Sequence, residues 1–128
     1  MKAARLVARR KIEFLDIEEP GPLENNEVLI NLEVLSVCGS DIYLEYDAEL
    51  PEEKCPLVPG APMHECAGTV VESRDTDYKE GQRVIVIQRD VAGMREQVVQ
   101  TADRLIKLLE WGDLSEWVMC QHSGTVLY

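Results

Sequence analysis

Basic residues are scarce in this chain. Its 13 Lys and Arg stand against 24 Asp and Glu, for a net charge of −11. Binding to nucleic acid draws on clusters of Lys and Arg at the phosphates, so the balance argues against a nucleic-acid partner. It argues equally against an anionic membrane surface. No apolar run approaches the length of a membrane span. The opening Met1-Lys2-Ala3-Ala4-Arg5-Leu6 lacks the long apolar segment of a signal peptide. Four cysteines, Cys38, Cys55, Cys66 and Cys120, show no compact disulfide framework, and a reducing, cytoplasmic location is the expectation. Internal repeats and low-complexity tracts are absent, and no Gly-x-Gly-x-x-Gly follows a strand pattern, so a dinucleotide-binding turn is missing from these residues.

The 128 residues suit one domain and are long enough to bury a core. Strand patterns recur along them. Residues 2–8 and 11–17 read as two strands around the basic tip Arg9-Arg10-Lys11, with Ile12 and Phe14 alternating with Glu13 and Leu15. In 28–35, Val28, Ile30, Leu32 and Val34 share one face and Asn31 and Glu33 the other, the pattern of a half-buried strand. Further strands are expected at 67–73, 83–88 and 94–100, the second with a continuous apolar run from Val84 to Ile87 and buried on both faces. Residues 47–59 form an acidic, proline-punctuated loop. Ser40-Asp41 reads as the cap of a short helix running to Tyr46, and Asp113 as the cap of a C-terminal one, with Glu116 three positions on. Short strands in series with few helices predict a mainly β fold, an antiparallel barrel.

Chemistry concentrates between Cys38 and Gly68. Cys38-Gly39-Ser40-Asp41 and Met63-His64-Glu65-Cys66 bring a thiol, an imidazole and a carboxylate into two motifs about 25 residues apart. These are the side chains zinc takes as ligands, and a catalytic zinc keeps three of them with one position open. Each also has a plain structural reading: Cys38 as a small core residue, His64 as a satisfied structural histidine, Ser40 and Asp41 as cap or turn groups.

With these motifs the chain resembles the catalytic domain of the zinc-dependent medium-chain alcohol dehydrogenases. The CGSD motif, the His64-Glu65 pair and the Gly68-x-Val-Val-Glu strand carry the resemblance, and Glu27–Ile30, Glu80–Val84 and Ala102–Leu108 fall in the family's order around them. It implies a GroES-like, partly open barrel over 1–112, and a helical segment at 113–128 that would lead into a nucleotide-binding domain. It also implies one catalytic zinc held by Cys38 and His64. Glu65 is expected to touch the metal directly or through water, or to stand behind it in a salt bridge. Asp41 resembles the carboxylate that orients the zinc histidine. Ser40 resembles the hydroxyl that relays the substrate proton, and Tyr43 falls where many members carry a histidine, though a tyrosine is a poor proton acceptor at neutral pH. Met63 replaces the family's usual glycine, so a reshaped loop is expected. The interval from Arg83 to Gly93 holds no cysteine, so no four-cysteine structural zinc is expected. Gln121 stands at the place of a glutamate that serves some members as a fourth ligand, with His122 beside it; other members take that ligand from residues beyond where this chain stops.

The function so implied is the catalytic domain of an alcohol or polyol dehydrogenase, with a small alcohol or carbonyl as substrate and NAD or NADP as cofactor of the intact enzyme. The domain alone is expected to be inactive and to lose zinc readily. The alternative is a non-enzymatic GroES-like module for binding or assembly. Trp117, Val118, Met119, Val126, Leu127 and Tyr128 make an apolar end on an acidic chain, which predicts self-association through 114–128 or a displaced helix.

Overall fold

A computed structural model of the chain describes residues 1–121. Among these, seven strands make the fold mainly β. They are β1 (Lys2–Ala8), β2 (Lys11–Asp16), β3 (Glu27–Ser36), β4 (Glu65–Ser73), β5 (Arg83–Ile87), β6 (Gln97–Thr101) and β7 (Leu105–Lys107). β1 and β2 form a hairpin; the others form a curled, partly open sheet in the order β6-β3-β4-β5-β7, antiparallel at every pairing.

The alternation in β3 sets the inside of this sheet. Val28 and Ile30 are fully buried while Asn31 and Glu33 face solvent. They meet Cys66 and Val70 of β4, Val84 and Val86 of β5, Val98 of β6 and Leu105 of β7 in one apolar cluster. β5 is buried on both faces, as its continuous apolar run requires. Irregularities in the β3–β4 register fall between Leu29 and Ile30 and between Leu32 and Val34. Such bulges bend and twist the strand, as a curling sheet needs. Gly68 lies opposite Leu32, where a Cβ would collide with the Asn31 carbonyl oxygen, so the backbones approach there only because the residue has no side chain.

Two strand starts differ from expectation. β4 begins at Glu65, two residues early, because the Glu65 region pairs with Ser36 of β3 and Ile87 of β5. β6 begins at Gln97, because Met94–Glu96 is drawn to β1: Ala4 N–H donates to Met94 O at 2.9 Å and Glu96 N–H to Lys2 O at 3.2 Å. In the hairpin, β1 supplies the buried residues Ala3, Ala4 and Leu6. The alternation in β2 points Ile12 and Phe14 outward, Phe14 being 85% exposed.

The basic hairpin tip is fastened to the acidic loop. Arg10 Nε lies 2.7 Å from Asp47 Oδ1, and Arg9 reaches Asp47 at 3.1 Å and Glu49 at 3.3 Å. The hydrogen bond from Arg10 is the main cause holding the Asp47 carboxyl below its ordinary range.

The C-terminal helix α1 spans Leu114–Val118. Asp113 caps it by accepting from the Ser115 N–H and hydroxyl, both at 2.8 Å. Val118 is buried, α1 packs on β3 and β4, and Trp117 donates Nε1 to Trp111 O at 3.0 Å. The helix expected beyond Gln121 lies outside the described residues. No helix among those described is long and apolar enough to cross a membrane.

Candidate metal centre

β3 runs out at Ser36 and delivers Cys38 to Asp41 into a helical stretch. Asp41–Tyr46 is a single wide turn, closed by the Asp47 N–H on the Ile42 carbonyl five residues back, at 2.8 Å. Such turns concentrate at functional sites. The turn places Asp41 inward, only 3% exposed. Its Oδ2 accepts from the Cys38 N–H at 2.9 Å and its Oδ1 lies 3.0 Å from His64 Nδ1. One buried carboxylate thus ties the two motifs together. With Nδ1 turned to Asp41, Nε2 is the ring nitrogen that could serve as a metal ligand.

His64 comes off the end of the long loop and Glu65 opens β4 beside it. Ligand atoms of Cys38, His64 and Glu65 all lie within 4.8 Å of one another, with Glu65 buried and the other two half-buried. Zinc bonds run about 2.0–2.3 Å, so two ligand atoms of one tetrahedral ion stand roughly 3.3–3.8 Å apart. The three donors lie close enough together to be drawn onto one ion, which leaves a fourth position open.

Ser40 does not cap the helical turn; its hydroxyl donates instead to Cys38 Sγ at 3.2 Å. It borders a cleft of about 470 Å³ whose walls include Leu44, His64, Ile87 and Gln88. Tyr43 is 66% exposed on the outer side of the turn. Met63 is buried, and its carbonyl accepts from the Gly93 N–H at 2.7 Å. It is not among the residues of positive φ, so the loop accepts a side chain where a glycine was expected.

Cys66 sits in the core, fully buried, and burial pushes its thiol up to about 12. Cys120 is exposed and Cys55 half-buried. Gln121 is 5% exposed and binds backbone: its Nε2 donates to His64 O and its Oε1 accepts from Cys66 N–H, both at 3.1 Å. Its place in the family pattern was legible in the sequence, but nothing there signalled these two bonds. His122 lies outside the described residues.

Comparison with known proteins gives the family. Residues 24–127 match the alcohol dehydrogenase GroES-like domain, and the chain belongs to that family. An alcohol dehydrogenase of Geobacillus stearothermophilus is 38% identical over 73 residues, which is 56% of this chain and 20% of that protein. An uncharacterized zinc-type alcohol dehydrogenase-like protein of Escherichia coli is 39% identical over 75 residues, 57% of this chain and 21% of that one. Among solved structures, 2R,3R-butanediol dehydrogenase from Bacillus subtilis superposes with a TM-score of 0.66 at 26% identity, over 85% of this chain and 40% of the other. The aligned part thus spans about a fifth of the length of the curated relatives.

Proposed function

We propose that this chain is the barrel portion of a zinc-dependent alcohol or polyol dehydrogenase, in which Cys38, His64 and Glu65 hold one zinc ion. The observation that carries this reading is the convergence of those three ligand atoms within 4.8 Å, next to a carboxylate already bound to the histidine. When bound, zinc would supply Lewis acidity toward an alcohol or carbonyl oxygen.

The chain's own residues divide the remaining work. Asp41 keeps the proton on His64 Nδ1 and aims Nε2 inward. Ser40 borders the cleft with its hydroxyl beside the Cys38 sulfur, and would relay the substrate's proton, accepting it while handing its own on to water. Leu44, Pro62, Ile87 and Val91 give the cleft an apolar wall that limits water around the reacting oxygen. Glu45 at its edge and the acidic stretch beyond it favour uncharged over anionic substrates.

The nicotinamide of the intact enzyme, NAD or NADP, would be held by residues outside this barrel. Hydride transfer requires donor and acceptor to be held in contact, so the chain alone is expected to turn over no alcohol when either cofactor is added. It is expected to take up one zinc per chain, measured by native mass spectrometry with zinc present in excess. A chain that takes up none would sink the metal reading, and turnover lost on Cys38→Ala would sink the expectation of inactivity.

Self-association through 114–128 is a separate proposal. Trp111 and Met119 lie exposed, at 67% and 69%, beside the helix, while Val118 is already taken up by the barrel. Light scattering should show mass rising with concentration. A monomer at every concentration, unchanged by Trp117→Glu, would count against it.

A further inference from the structure

We propose that Gln121 is a positioning residue of the metal centre and not one of its ligands. This rests on the reading of Cys38, His64 and Glu65 as a zinc site.

The two bonds of Gln121 flank Glu65. The carbonyl of residue 64 and the N–H of residue 66 lie on the same edge of an extended strand, where a neighbouring strand would offer one donor and one acceptor. Gln121 offers that pair from one side chain, with 3.1 Å to each group. Its orientation follows from its partners, since a carbonyl only accepts and a backbone N–H only donates. A carboxylate at 121 would have no hydrogen for the His64 carbonyl. An amide is therefore matched to this place, and its oxygen is turned to the Cys66 N–H.

His64 and Glu65 are thus gripped from two sides. Asp41 holds the imidazole of His64, and Gln121 holds the backbone on either side of Glu65. Cys66 is fully buried, so water does not replace the lost partner if Gln121 is removed. Gln88 adds a weaker contact to the same residue, its amide lying 3.7 Å from Cys66 Sγ, and is itself held by Gln100 at 3.1 Å. The aim of the Glu65 carboxylate then depends on a side chain that never touches the ion. Thiolate and carboxylate together balance the charge of a zinc dication, and the fourth position stays open to a substrate oxygen.

Two measurements on the full chain test this, with Gln121→Leu, which keeps the bulk and removes both bonds, and Gln121→Glu, which keeps only the acceptor. In the metal-free protein, amide hydrogen exchange at Cys66 should quicken about tenfold or more in Gln121→Leu, while Val70 on the same strand stays as it was; Gln121→Glu should leave Cys66 protected. With cobalt(II) as the probe, Gln121→Leu should bind about 10–100-fold more weakly, as loss of a supporting group does, with its visible bands at the wild-type position and intensity. Unchanged exchange at Cys66 in Gln121→Leu would overturn the clamp. A shift of the cobalt bands in that variant would make Gln121 a ligand and overturn the proposal from the other side. If the wild type binds no cobalt, the zinc-site reading fails, and with it the positioning role; the exchange measurement then reports only whether the two backbone bonds exist.

Discussion

Cys38→Ala and His64→Ala are each expected to reduce zinc affinity well beyond the about 10–100-fold that follows from losing a supporting group, and Asp41→Asn to fall within that range. The difference follows from what each side chain reaches. Cys38 and His64 present ligand atoms to the shared point, whereas Asp41 reaches it through the His64 ring and the Cys38 N–H. The two alanine variants should part company once the metal is removed. Cys38 is half-buried. His64→Ala strips Asp41, whose side chain is 4% exposed, of its imidazole partner. Leaving a buried polar group short of a partner costs about 1–3 kcal/mol, so metal-free His64→Ala should melt at lower denaturant than metal-free Cys38→Ala. Competition with a chromophoric chelator gives the affinities and urea unfolding the stabilities. Wild-type affinity in Cys38→Ala would remove that residue from the ligand set.

Gly68→Val is expected to leave little folded protein. A Cβ at Gly68 collides with the Asn31 carbonyl oxygen and crowds the Leu32 backbone. Neither can yield, because β3 is paired on both sides, with β4 and with β6, and Val28 and Ile30 beside the contact are fully buried. Separating β3 from β4 would also part Cys38 from Glu65. The cost should be on the order of 4 kcal/mol or more, a large share of the about 5–15 kcal/mol that holds a domain together. Gly21→Ala is the control: its added Cβ has no atom within 4 Å, and its backbone is not in the left-handed region. Circular dichroism and thermal melting compare the two. A Gly68→Val protein that melts with the wild type would show that the strands can move apart.

Much of this was legible in the residues alone. The alternation around Ile30–Val34 and the unbroken apolar run of 84–87 located β3 and β5, because a pleated strand sends successive side chains to opposite faces. Asp113 marked the start of α1 because a short carboxylate satisfies the first free N–H groups of a helix. Cys38, His64 and Glu65 stood out by chemical type, together with the family pattern around them. Other features were beyond local reading. Ile12 and Phe14 alternate as well as any strand, yet β2 is the outer strand of its hairpin and Phe14 meets solvent. The Gln121 clamp joins residues more than fifty positions apart by hydrogen bonds that no periodicity encodes. By itself the sequence determined where the strands run and which side chains could bind a metal, since alternation and ligand chemistry are local properties. Only the tertiary structure decided that the ligands meet: antiparallel pairing of β3 with β4 sets Ser36 opposite Glu65, and that register carries the two distant motifs to the same end of the sheet.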